Sequence, residues 1–157
     1  MIPADAAAAM TLSDAAATEA FGAALAAVVR PGDVVTLTGP LGAGKTSIAR
    51  GLLAALGLAG EAPSPSYAIV QPYRPPEVTM PVLHVDLYRL DDAEAVAELG
   101  LEDERGDGVL LVEWPDRAGP RAWPDALALV LAIEADGTRR LTATVPPAWE
   151  ARWPIRP

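Results

Sequence analysis

Eight residues, Gly39-Pro40-Leu41-Gly42-Ala43-Gly44-Lys45-Thr46, reproduce the spacing G-x-x-x-x-G-K-[ST]. Each residue type has a chemical reason to be there. Gly39, Gly42 and Gly44 let the backbone curl until successive N–H groups face one phosphate chain, to which Leu41 and Ala43 contribute main-chain groups. Lys45 carries an ammonium toward the β- and γ-phosphates. Thr46 offers a hydroxyl to Mg²⁺, and Ser47 follows it into a helix whose positive end faces the anion. Lys45 is also the only lysine in the chain, against eleven arginines. The loop therefore points to a nucleoside triphosphate bound with Mg²⁺.

Turnover of such a nucleotide needs a carboxylate near the metal and a group that positions the nucleophile. Glu113 follows the apolar run Val109-Leu110-Leu111-Val112, which places an acid at the carboxyl edge of a buried strand, where ligands of such sheets bind. Asp86 lies in His84-Val85-Asp86-Leu87-Tyr88-Arg89. Strand alternation puts His84, Asp86 and Tyr88 on one face and Val85 and Leu87 on the other. Spacing leaves open which of Asp86 and Glu113 touches the metal and which orients water. His84 reads as a structural hydrogen-bonder. It is the only histidine. Ser64-Pro65-Ser66-Tyr67 places hydroxyls on a loop where a γ-phosphate can be sensed, or forms an ordinary turn.

The elements that position these groups follow from periodicity and breakers. Ser13 caps a helix over Asp14–Val29 that Pro31-Gly32 ends. Asp33–Thr38 is a short buried strand that feeds the glycine loop, and Thr46–Leu56 is the helix after it. Strands are expected at Tyr67–Val70, Val82–Leu87, Val109–Glu113, Leu127–Ile133 and Leu141–Val145. The last two flank Asp136-Gly137, a hairpin signal. A short helix covers Asp91–Leu99, and the proline-rich tail from about 146 to 157 lies over the surface. Helices interleaved with apolar strands give an α/β fold: a three-layer, P-loop NTPase-like arrangement with a mostly parallel sheet and a C-terminal antiparallel hairpin. The 157 residues fit one such domain.

Composition excludes several alternatives. Apolar residues make up 51% of the chain, and no run of about eighteen of them exists to span a membrane. Met1–Ala9 has no basic residue and does not resemble a secretory leader. With no cysteine there is no thiolate zinc site or disulfide, which fits a cytoplasmic location. A net charge of −9 repels nucleic-acid backbones, so tight direct binding of nucleic acid by this chain alone is not expected. The Asn-Lys-x-Asp element that selects guanine cannot exist, because the chain has no asparagine and no second lysine. A small-molecule kinase would need an arginine-bearing lid. Arg117, Arg121, Arg139 and Arg140 are available, but no lid-length segment is evident. A nucleotide-binding adaptor without turnover is the other alternative.

Taken in order, Gly39–Ser47, Ser64-Pro65-Ser66-Tyr67, His84-Val85-Asp86-Leu87-Tyr88-Arg89-Leu90 and Glu113-Trp114-Pro115 resemble the TsaE (YjeE) family, the small bacterial ATPases of tRNA threonylcarbamoyladenosine biosynthesis. The similarity runs from about Leu12 to Val145. It implies an ATP-binding, Mg²⁺-dependent ATPase subunit that works with TsaB and TsaD and meets tRNA only through that complex. It further implies ATP at Gly42–Ser47, Mg²⁺ at Thr46 and Glu113, and hydrolysis dependent on Asp86. Ser66 takes a switch-like hydroxyl position, and Trp114 flanks the nucleotide. Adenine contacts are expected near Leu12–Asp14 and Gly137–Arg139. Pro40, Ser66 and Val85 stand where the family usually has Asp, Thr and Phe. None of the three changes removes a phosphate or metal ligand.

Overall fold

Three short apolar runs set the architecture. Val34–Thr38, Val82–Asp86 and Val109–Glu113 are buried along nearly their whole length, as parallel strands covered on both faces must be. The computed structural model describes residues 7–65 and 69–155. Its elements are β1 (Ala7–Leu12), α1 (Ala15–Ala26), β2 (Val34–Thr38), α2 (Lys45–Ala55), β3 (Val70–Tyr73), β4 (Val82–Asp86), α3 (Ala93–Ala97), α4 (Leu101–Arg105), β5 (Val109–Glu113), β6 (Leu127–Ile133) and β7 (Arg139–Thr144). Two 3₁₀ turns, Pro115–Ala118 and Pro147–Arg152, complete it.

The seven strands form one sheet in the order β1-β7-β6-β2-β5-β4-β3. The central strands β6, β2, β5 and β4 run parallel. β3 is antiparallel at one edge, and the β6–β7 hairpin with β1 is antiparallel at the other. Strand alternation divides the core into two layers. Val35, Leu37 and Leu111 pack with Phe21, Leu25, Ile48 and Leu52 of α1 and α2. Val34, Leu110 and Val112 pack on the opposite side with Val96 and Leu101 of α3 and α4. The expected α/β three-layer class, with its parallel centre and C-terminal hairpin, is the one observed.

α1 and α2 approach closely because each presents a glycine to the other. A Cβ on Gly22 would lie 2.1 Å from the Ile48 carbonyl oxygen, and one on Gly51 would lie 2.0 Å from that of Glu19. This contact seats α2, and hence the start of the helix that carries Lys45 and Thr46.

Several boundaries differ from the sequence reading. Asp14, not Ser13, caps α1: its carboxylate accepts from the Ala17 amide at 2.8 Å. Residues 7–12, given no element from sequence, form edge strand β1, because β7 offers them a free edge. The strand expected at Tyr67–Val70 starts at Val70 and runs through Tyr73, while Tyr67 and Ala68 lie outside the described residues. The helix expected over Asp91–Leu99 spans Ala93–Ala97. Gly100, in the left-handed region at φ 66°, then turns the chain into α4, which was not anticipated. The tail is pinned rather than draped. Trp149 and Ile155 join the core, and Arg152 donates to the Val28 carbonyl at 2.9 Å and to Asp33 at 2.6 Å.

The glycine contact yields a stability prediction. Gly51→Ala forces a methyl into the Glu19 backbone and should cost about 2 kcal/mol, a fall in Tm of about 4–8 °C. Gly106→Ala meets no atom within 4 Å and keeps a helical φ of −60°, so it should stay within about 0.5 kcal/mol of the parent. Thermal melts of the two variants test this. Equal midpoints would refute the packing account.

Candidate functional site

The glycine loop joins the carboxyl end of β2 to the amino end of α2, at the centre of the sheet. Gly44 precedes α2 at φ 109° and supplies no side-chain cap. An L side chain is strained there, and a Cβ would also press on Thr18 at 3.1 Å. The Ala43 amide closes the loop onto the Pro40 carbonyl at 3.1 Å. Ala43 is fully buried behind the loop, whereas Leu41 projects outward, 71% exposed.

Lys45 is 5% exposed. Its ammonium folds back into its own loop and donates to the Gly39 carbonyl at 2.6 Å and the Pro40 carbonyl at 3.0 Å. It also lies 4.5 Å from the centre of the Trp114 ring, a cation–π contact. Burial lowers its pKa from the ordinary 10.5, while the carboxylates of Glu113 and Asp86 oppose that shift.

The acids reach the loop by strand register. Asp86 on β4 pairs with Glu113 on β5, so both carboxylates stand side by side at the carboxyl edge. Both are nearly fully buried. The Thr46 hydroxyl donates to Glu113, 3.3 Å from either oxygen. His84 Nε2 lies 2.6 Å from Glu113 Oε2. His84 is itself fully buried, and its Nδ1 has no hydrogen-bond partner among the described residues. Asp86 accepts from the Tyr88 amide at 2.9 Å.

Trp114 takes a left-handed conformation at φ 59°, which is uncommon for a bulky residue and typical of functional strain. Its amide donates to the Leu37 carbonyl at 3.2 Å. Its ring stacks at a tilt on Tyr88, with centroids 4.9 Å apart. These side chains enclose a cleft of about 300 Å³, with Gly42, Gly44 and Thr46 on one wall, and Asp86, Glu113 and Trp114 on the other. Ser47 and Ser64 also line it. A smaller pocket of about 130 Å³ shares Gly42, Gly44 and Ser47 with that cleft and extends to Asp14, Gly137 and Arg139.

The structure thus brings together Gly39, Leu41, Gly42, Ala43, Gly44, Lys45, Thr46, Ser47, Asp86, Glu113 and Trp114. Ser66 lies outside the described residues. Two features had no clear signal in the sequence. The His84–Glu113 bond depends on β4 lying next to β5, and the Lys45–Trp114 contact depends on an unusual backbone angle. No group of three or more His, Asp or Glu side chains able to hold a metal occurs among the described residues. The donor set still fits a hard cation that shares ligands with a phosphate chain: one hydroxyl and one carboxylate in contact, a second carboxylate alongside, and an ammonium free to exchange loop carbonyls for phosphate oxygens.

A strand, glycine loop and helix at the carboxyl edge of a central parallel sheet, with acids on two neighbouring strand ends, define an α/β protein of the P-loop NTPase-like class. The family model "Threonylcarbamoyl adenosine biosynthesis protein TsaE" matches residues 12–141, and the chain belongs to that family. The tRNA threonylcarbamoyladenosine biosynthesis protein TsaE of Bacillus subtilis is 36% identical over 128 residues, covering 81% of this chain and 78% of that protein. The Synechocystis protein of the same name is 42% identical over 110 residues, covering 68% and 69%. The crystal structure of Bacillus subtilis YdiB superposes with a TM-score of 0.76 at 30% identity, over 94% of this chain and 90% of that one. No helix among the described residues is long and apolar enough to cross a membrane.

The buried ammonium carries a pH signature. The folded pKa of Lys45 lies below 10.5, so between the two values the unfolded chain binds the proton that the folded chain has shed. Stability therefore rises with pH through that interval, and the desolvation cost is fully present below it. Relative to Lys45→Met, the parent should gain stability between pH 7 and pH 10.5. Urea melts of both proteins at the two pH values provide the test. A parallel or opposite trend would contradict the burial argument.

Proposed function

We propose that this chain binds ATP with Mg²⁺ and hydrolyses it as a subunit supporting tRNA N6-threonylcarbamoyladenosine modification, together with TsaB and TsaD. One observation carries the catalytic part: Lys45, Thr46, Glu113 and Asp86 converge on a single cleft at the loop. The names of the relatives carry the pathway. With a net charge of −9, the chain leaves tRNA contact to its partners. The missing guanine-selecting element favours adenine, and the small pocket by Asp14 and Gly137 adjoins the loop where a nucleoside would emerge.

In this reading, Gly42–Ser47 cradle the phosphates. Lys45 leaves the Gly39 and Pro40 carbonyls for the β- and γ-phosphate oxygens, and the Trp114 ring shields it from water. Thr46 and Glu113 hold Mg²⁺, since they are the hydroxyl and carboxylate already in contact. When bound, the metal neutralises charge that develops on the phosphates. His84 fixes the orientation of Glu113. Asp86 accepts a hydrogen bond from the attacking water. One of its oxygens is oriented by the Tyr88 amide.

Variants separate these roles. Lys45→Ala should weaken ATP binding by about a hundredfold or more, the loss of a charge-assisted phosphate contact. Asp86→Asn and Glu113→Gln should bind ATP within about fivefold of the parent and lose turnover by roughly 10²–10³-fold. Binding titrations, together with ADP release measured alone and with the TsaB–TsaD pair, give the answer. Turnover absent under every condition would leave an adaptor, and a phosphorylated metabolite in its place would indicate a kinase.

A further inference from the structure

Four carbonyl oxygens of the glycine loop are divided between two cations. Those of Gly39 and Pro40 accept from Lys45 on the inside of the loop. Gly42 and Ala43 are held from outside by Arg139, the first residue of β7. Arg139 Nη2 donates to the Gly42 carbonyl and Nε to the Ala43 carbonyl, each at 3.2 Å. Its Nη1 donates to Gly137 at 2.7 Å, which anchors the guanidinium to the hairpin turn. Two further groups behind the loop make steric contact: Leu131, whose carbonyl would lie 2.7 Å from a Cβ on Gly39, and the methyl of Thr18 behind Gly44. They limit where the loop can lie, but they do not fix the rotation of its peptide planes.

We infer that Arg139 is a positioning residue that sets the peptide planes of the phosphate loop. A trans peptide points its C=O and N–H in opposite directions. Holding the Ala43 carbonyl on the outer side turns the Gly44 N–H to the inner side, and holding the Gly42 carbonyl does the same for Ala43 N–H, already closed onto Pro40. A guanidinium is suited to this because its planar fork presents several donors in a fixed geometry. The role grows when a phosphate chain binds. Lys45 must then release Gly39 and Pro40, and Arg139 becomes the remaining side-chain clamp on the loop carbonyls. The nucleotide part of this inference rests on the ATP-binding reading above. The ligand-free part does not.

Two measurements on Arg139→Met and Arg139→Lys test it. In the ligand-free protein, amide hydrogen exchange at Ala43 and Gly44 should accelerate about tenfold in Arg139→Met, with the lysine variant between it and the parent. Exchange in α1 and the core strands should stay unchanged. Unchanged exchange at the loop would overturn the inference, and so would acceleration spread evenly over the whole protein, which would mark Arg139 as a merely structural residue. The second measurement titrates inorganic tripolyphosphate and ATP, each with Mg²⁺. Positioning of the loop predicts that Arg139→Met weakens both by the same factor, about tenfold. Loss confined to ATP would overturn it, because Arg139 would then be contacting the nucleoside. If the parent binds neither compound while the loop exchange still responds to Arg139, the ATP reading fails and the positioning role stands.

Discussion

The site is organised around a buried carboxylate. Glu113 is 3% exposed, and an ionised acid withdrawn from water that far requires hydrogen-bond partners or counter-charges. It has both, supplied by the neighbouring strand β4 and by the first turn of α2. His84 reaches it from β4, Thr46 from the first turn of α2, and the Lys45 ammonium interacts with it electrostatically. That one group therefore ties the neighbouring strand, the phosphate loop and the helix to a common geometry. The parallel register of β4 and β5 makes this possible, because it brings Asp86 and Glu113 to the same edge.

Such a geometry is useful only if α2 cannot drift. The helix is held from behind by the paired glycines Gly22 and Gly51, which bring two backbones into contact without intervening side chains. Contacts of this kind are stiff, since close-packed backbone has no rotamers through which to relax. The C-terminal turn reinforces the opposite end of β2. Arg152 bridges Asp33 and the Val28 carbonyl while its guanidinium stacks 3.8 Å over the Trp149 ring. The strand that feeds the loop is thereby fixed at its start, and the helix that leaves the loop is fixed along its side. The six residues between them, Gly39–Gly44, are held at both ends, which leaves the rotation of their peptide planes as the main freedom.

Legibility in the sequence followed the range of the interactions. The loop was readable because its chemistry is contiguous: glycine spacing, a lysine and a hydroxyl within eight residues. The placement of Glu113 at a strand end was readable because it follows a continuous apolar run, whereas Asp86 was expected one residue inside a strand that ends on it. Strand order is decided by tertiary pairing, so the His84–Glu113 bond was not visible. Nor was β1, whose Ala-rich residues have weak strand propensity and become a strand only because β7 has an open edge. The burial of Trp149 in a proline-rich tail was missed for a similar reason. Proline excludes regular structure, but it does not prevent a 3₁₀ turn from inserting one aromatic ring into the core.

The charge balance of the cleft links these constraints to the proposed chemistry. Around the loop stand two buried carboxylates, Asp86 and Glu113, and one buried ammonium, Lys45, in a chain whose net charge is −9. A triphosphate entering alone would bring several negative charges beside two more, in surroundings of low dielectric where repulsion is strong. The loop amides and Lys45 offset only part of that. A divalent cation held by Thr46 and Glu113 would turn the repulsion between Glu113 and a phosphate chain into attraction to a shared charge. The same acids that would oppose a bare nucleotide would, on the proposed reading, favour its Mg²⁺ complex. On the proposed reading, this arrangement makes metal and nucleotide binding interdependent, and it accounts for an acidic protein placing its only lysine at a polyanion site.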